Sequence, residues 1–201
     1  MPRSFVRKQR ILISRLFSAI IVVLLLISES RWTETNYAGI ISLIGVILIG
    51  FGTVGRLWCT LYIAGYKSNT LITAGPYSIS RNPLYFFSLL GMTGVGLSSE
   101  TLTIPAIMIL FFAIYYPQVI KSEEKKLSKI HKKAFEEYCK STPKFFPSFK
   151  LLKEPQECIV NPILFRKSML EVVWFIILLG AIELAETLHE TGILPVVFKL
   201  Y

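Results

Sequence analysis

Residues 37–60 read YAGIISLIGVILIGFGTVGRLWCT. As a helix, this run is long enough to cross the ~30 Å hydrocarbon core of a bilayer. Gly39, Gly45, Gly50, Gly52 and Gly55 are scattered through it, and small residues in a membrane helix let a neighbouring helix approach closely. Working outward, residues 11–28, 102–120 and 169–188 are further apolar runs, and residues 84–97 form a shorter one. Hydrophobic residues make up 53% of the 201 and charged residues only 17%. A soluble domain of this size cannot hide that much apolar surface, and it usually carries about 25% charge. The reading is an all-α integral membrane protein with about five transmembrane helices.

The flanks of residues 11–28 also fit a cleavable leader, with a basic start and a small-x-small triplet at Ser28–Ser30. The run is nevertheless expected to remain as a span. Residues 84–97 and 102–120, joined by a polar turn, read as a helical hairpin whose first arm is short for a full crossing. Asn82-Pro83 marks the start of that arm, since asparagine caps helices well and proline suits the first helical position. Pro117 is expected to bend the returning arm. Residues 122–140 place Leu127, Ile130, His131, Ala134, Phe135 and Tyr138 on one face and lysines and glutamates on the other. That pattern predicts a basic amphipathic helix on the membrane surface.

The net charge of +9 is concentrated beside the apolar runs, at residues 3–10, 121–153 and 166–167. This is the positive-inside distribution, which directs these segments to the cytoplasm and explains the charge without a nucleic-acid partner. The turns at 29–36 and 98–101 carry Glu29, Glu34 and Glu100 and are expected outside. Cys59, Cys139 and Cys158 show no ligand spacing and read as free thiols. Glu186-x-x-His189 has the spacing of half a carboxylate-bridged metal site, but its second half is missing, so no metal is expected.

Two polar stretches, 62–85 and 123–147, fall on the basic side. They contain Thr73-Ala-Gly-Pro-Tyr77, Arg81-Asn-Pro-Leu-Tyr85, Glu123-Glu-x-x-Leu127, Glu137-Tyr138 and Pro143-Lys-Phe-Phe-Pro147. This ordered set resembles the isoprenylcysteine carboxyl methyltransferases, which share their core with phospholipid methyltransferases. The likeness runs without a gap over 62–147, somewhat under half of the chain. It implies a membrane enzyme that binds S-adenosylmethionine through Tyr62, Asn69, Thr70, Leu71, Ile72, Tyr77, Asn82, Pro83, Leu84, Tyr85 and Glu123. The chemistry is suitable. A helix start at Pro83 offers unpaired N–H groups to a carboxylate. Glu123 can accept from a diol or an ammonium group, and the Tyr77 and Tyr85 rings can face a sulfonium.

The chain departs from the resembled pattern at four places. Asn82 stands for histidine, His131-Lys132 for Phe-Gly, Phe135 for tyrosine and Val119 for an arginine. By the resemblance, that arginine holds the substrate carboxylate, so Val119 marks a substrate position where a prenylcysteine carboxylate would be poorly held. The expected organisation is two N-terminal spans over 1–61, a methyltransferase core over 62–150, and a linker with an extra span over 151–201. The expected reaction is methyl transfer to a lipid-like or prenylated acceptor at the cytoplasmic membrane face. The alternatives are an NADPH-dependent reductase of the membrane sterol type, which has a similar R-x-P-x-Y turn, and a non-catalytic adaptor that keeps the core.

Overall fold

The computed structural model describes residues 2–33, 35–64, 66 and 70–201, with side chains from residue 12 onward. Helix α1 is Pro2–Ile27, α2 Asn36–Ile63, α3 Pro76–Ile79, α4 Pro83–Leu97, α5 Thr103–Ser141 and α6 Pro162–Glu190. Two three-residue strands, β1 (Ser28–Ser30) and β2 (Phe198–Leu200), complete the order. The fold is all-α, and α2, α5 and α6 are each long and apolar enough to cross a membrane. Shorter apolar helices run over Leu12–Ile27 and Pro83–Leu97.

Helix α2 shows how the sequence sets the packing. Its buried residues are Ala38, Gly45, Ile49, Gly52, Gly55 and Cys59, whereas Ile40, Leu43, Ile44, Ile47, Phe51 and Val54 are exposed. Small side chains face protein and large apolar ones face outward, which is the inside-out pattern that lipid requires. The buried stripe meets α4 closely. A Cβ added to Gly52 would stand 2.6 Å from the Gly91 Cα, so only glycine fits that crossing. Toward the far ends of the helices Ile21, Leu25, Ile49, Val95, Ile104, Met108 and Ile182 form one apolar core, with Phe17 stacked on Phe111 at 3.7 Å.

The hairpin α4–α5 is present, and its first arm has 15 residues. At about 1.5 Å per residue that arm is shorter than the hydrocarbon core. The second arm does not stop where the amphipathic pattern suggests. Helix α5 continues through Ser122 for 39 residues in all, with Pro117 inside it, and its backbone leaves helical angles at Lys132 (φ 45°, ψ −115°). Residues 118–131 contain no glycine or proline and are rich in lysine and glutamate, good helix formers that carry the span onward. The break falls where the resembled family has glycine. A lysine in that region of backbone space is strained by about 1–3 kcal/mol.

Helix α6 begins at Asn161-Pro162, seven residues before the apolar run read at 169–188. The Asn161 side chain accepts from the amides of Ile163 and Leu164, each at 3.1 Å. Beyond α6, β2 pairs in parallel with β1, Ser28 opposite Phe198. The Tyr201 carbonyl accepts from the amides of Leu102 (2.7 Å) and Thr103 (2.8 Å) at the start of α5. A cavity of about 150 Å³ at this end is lined by Ser28, Glu29, Glu100, Glu186, His189 and Glu190. His189 contacts the Leu26 carbonyl through Nε2 at 3.0 Å.

Candidate cofactor site

The other end of the bundle carries the polar stretches. Gly75 adopts φ +57°, and a Cβ there would lie 2.3 Å from the Tyr62 ring. Thus the turn into α3 needs glycine twice, for its backbone angle and for the aromatic face laid against it. Pro76 starts the single turn of α3, and Asn82-Pro83 starts α4 after a sharp reversal.

This elbow is held by residues 138–153, which wrap over it. The Tyr138 hydroxyl donates to the Tyr77 carbonyl (2.6 Å), and the Ser80 hydroxyl donates to the Phe145 carbonyl (2.9 Å). The Arg81 amide donates to the Pro143 carbonyl, the Ser148 amide to that of Ile79 and the Gly75 amide to that of Lys153. The Lys153 amide in turn reaches the Ser78 hydroxyl at 2.9 Å. Six polar groups of the elbow are therefore fixed by a segment about sixty to eighty residues away.

An ionic knot ties the elbow to α5. Glu124 lies 3.2 Å from the Arg81 Nε and 3.7 Å from the Lys144 ammonium. It also accepts from the Asn82 side-chain amide at 3.2 Å, and the same amide donates to the Lys144 carbonyl at 2.9 Å. Arg81 further donates to the Cys139 carbonyl at 3.0 Å. With the Asn82 side chain occupied in this way, α4 has no side-chain cap. The Tyr85 and Phe86 amides turn back to the Asn82 carbonyl (3.2 and 3.3 Å), so the helix start offers the Leu84 amide to an anionic group, strengthened by the helix dipole. The cap expected from Asn82 is thus corrected: the residue marks the helix start but spends its amide on Glu124 and Lys144.

The residues expected to hold a cofactor fall around this elbow. Tyr62 ends α2, half-buried, with its ring on Gly75. Thr70 is exposed, and Leu71 and Ile72 are half-buried in the extended stretch leading to the turn. Asn69 lies outside the described residues. Asn82 and Pro83 are buried, while Leu84 and Tyr85 are half-buried. Tyr85 meets Tyr116 of α5 edge to face at 5.5 Å between ring centres. The Tyr77 hydroxyl is within electrostatic reach of Cys59, Tyr138, Glu123 and Tyr85. Burial pushes its pKa well above the ordinary tyrosine value, and those neighbours push the same way. It is therefore a neutral hydrogen-bonding group at physiological pH. Glu123 is exposed at the rim, whereas Val119, one turn earlier, is buried.

The arrangement brings together a neutral phenol, a second aromatic ring, an uncapped helix start and a rim carboxylate. That donor set suits a ligand with an anionic end, a cationic centre and hydroxyl groups. Three members of the surrounding structure, Glu124, Arg81 and Lys144, belong to the quoted motifs but not to the residues expected to hold the cofactor. The tandem Glu123-Glu124 was the available signal. Adjacent positions on a helix point about 100° apart, so Glu124 turns to Arg81 and Lys144 while Glu123 stays exposed yet within electrostatic reach of Tyr77.

Comparison with known proteins bears on the family. A family profile described as phospholipid methyltransferase matches residues 40–134, which include α4, the elbow and most of α5. The cobalt-zinc-cadmium resistance protein CzcN of Cupriavidus metallidurans is 37% identical over 197 residues, 98% of this chain and 91% of that protein. The nickel-cobalt-cadmium resistance protein NccN of Alcaligenes xylosoxydans xylosoxydans is 38% identical over 185 residues, 90% of this chain and 86% of that protein. No solved structure matches the chain.

Proposed function

Because this chain belongs to the phospholipid methyltransferase family, we propose that it transfers a methyl group from S-adenosylmethionine to a lipid-like acceptor at the cytoplasmic membrane face. The observation that supports the reading is that Tyr77, beside the Asn82–Tyr85 turn, lies within electrostatic reach of both Tyr85 and Glu123. The Leu84 amide and the dipole of α4 would hold the cofactor's carboxylate, and Glu123 would accept from its ammonium or ribose hydroxyls. Tyr77 and Tyr85 would present ring faces to the sulfonium. When bound, the cofactor supplies an electrophilic methyl carbon, and the chain's part is to align it with the acceptor and keep water away. An amine acceptor must arrive neutral to attack, whereas a carboxylate needs no base.

The basic segment 121–153 surrounds the elbow, and the opposite end carries Glu29, Glu100, Glu186 and Glu190. This asymmetry supports a cytoplasmic elbow with segments 1–61 and 151–201 flanking the core at 62–150. The relatives' names speak of resistance to cobalt, zinc, cadmium or nickel. Among the described residues no three His, Cys, Asp or Glu side chains are arranged to hold a metal ion. On the methyl-transfer reading, any part in such resistance would run through methylation of a membrane component.

Isothermal titration of the detergent-purified chain tests the cofactor assignment. S-adenosylhomocysteine should bind and NADPH should not. Glu123→Ala should weaken that binding about 10- to 100-fold, the value of a charge-assisted hydrogen bond. Glu186→Ala, at the other end of the molecule, should leave it unchanged. Binding of NADPH alone would reverse the assignment in favour of a reductase.

A further inference from the structure

Helix α2 carries an arginine inside its span. At 1.5 Å per residue, the 28 residues of α2 exceed the hydrocarbon core by about 12 Å in total. Arg56, two turns before the end at Ile63, therefore sits near the boundary between acyl chains and headgroups. A charged side chain within a span characteristically faces the bundle interior or a water-filled cavity.

The charge is incompletely paired. Its Nη1 donates to the Ser88 hydroxyl of α4. Its Nη2 is 3.8 Å from Glu171 of α6, a carboxylate whose side chain is 68% exposed and thus free to swing away. Its Nε is buried with no hydrogen-bond partner, and so is the Thr53 hydroxyl, three residues earlier on the same face of α2. A lone unsatisfied buried group is a small cost, but two side by side, one of them cationic, point to an acceptor that binds there. Ser88 lies one turn beyond Tyr85, so this position adjoins the candidate cofactor site from the membrane side. Val119, where the resemblance implied an arginine, offers no charge.

We propose that Arg56 and Thr53, braced by Ser88, form a binding site for the headgroup phosphate of a membrane phospholipid, with Glu171 as the internal carboxylate that the phosphate displaces. The site rests on the methyl-transfer reading for its purpose, since it would hold the acceptor beside the cofactor, but not for its existence. It also accounts for α6, which lies outside the matched family region and supplies both Glu171 and Phe175, whose ring centre is 5.9 Å from the guanidinium.

Native mass spectrometry of the full chain tests this, comparing phosphatidylethanolamine with a diacylglycerol of the same acyl chains. The unmodified chain should prefer the phospholipid by about tenfold or more, the worth of one charge-assisted hydrogen bond. Arg56→Gln should erase the preference and Thr53→Val should reduce it. Glu171→Gln should increase it by removing the competitor, a gain that misfolding cannot imitate. Preference retained in Arg56→Gln, or unchanged or weakened in Glu171→Gln, overturns the proposal. Displacement of the lipid by millimolar inorganic phosphate would also overturn it, by identifying a free-phosphate site. Titration of S-adenosylhomocysteine into the same unmodified sample reads the methyl-transfer proposal separately. Absent binding there, with lipid preference intact, would remove the site's catalytic purpose and leave the site standing.

Discussion

Gly75→Val should leave the spans assembled but lower the affinity for S-adenosylhomocysteine by about 100-fold or more. Two independent effects combine. The backbone at Gly75 has φ +57°, and a β-branched residue held there costs about 1–3 kcal/mol. The added Cβ would also stand 2.3 Å from the Tyr62 ring, far inside contact distance, so the ring or the turn must move. Either movement displaces Tyr62 and Tyr77 together, and a loss of about 2.7 kcal/mol is already 100-fold. The turn lies outside the α2–α4 seam, so the helices should still form by circular dichroism. Undiminished affinity in this variant would show that the elbow is not where the cofactor binds.

Glu124→Ala and Glu123→Ala should fail in different ways, although the residues are neighbours. Glu124 is the shared partner of Arg81, Asn82 and Lys144, and the Arg81 and Glu124 side chains are only 12% and 19% exposed. Removing one member of such a pair leaves a largely buried cation unpaired, at a cost of about 3 kcal/mol. Thermal unfolding should therefore reveal a clear loss of stability in Glu124→Ala, with partial recovery in Glu124→Gln, which keeps an acceptor for Asn82. Glu123 is exposed at the rim, and its alanine variant should unfold as the unmodified chain does while losing cofactor affinity. Equal stability of the two variants would contradict the division of labour between the two carboxylates.

The spans were legible because lipid rewards simple runs of apolar side chains, and the hairpin was legible from Asn82-Pro83 and the polar turn after residue 97. Local signals were less faithful where distant chain competes for the same side chain. The molecule has two Asn-Pro helix starts. Asn161 caps α6 with its side chain, whereas Asn82 gives its amide to Glu124 and Lys144. Nothing within a few residues distinguishes the two, because the difference arises forty and sixty residues further along the chain. The continuation of α5 past Ser122 reflects the opposite balance. Amphipathic periodicity indicates which face is apolar, but only a backbone break ends a helix, and that break lies at Lys132. The pairing of β1 with β2 was not legible at all, since three-residue strands 170 positions apart in sequence have no periodic pattern. Arg56 was also overlooked, as one cation does not interrupt an apolar run.

Methyl transfer itself is the most direct test of the account. The purified chain, reconstituted with lipids extracted from a bacterial membrane, is incubated with S-adenosylmethionine labelled in the transferred methyl group, and the organic phase is then counted. The account predicts label in the lipid fraction that rises with time and is lost in both Gly75→Val and Glu123→Ala. An unlabelled lipid fraction from a chain that demonstrably binds the cofactor would contradict a lipid-like acceptor. Label that persists at full rate in both variants would contradict the site.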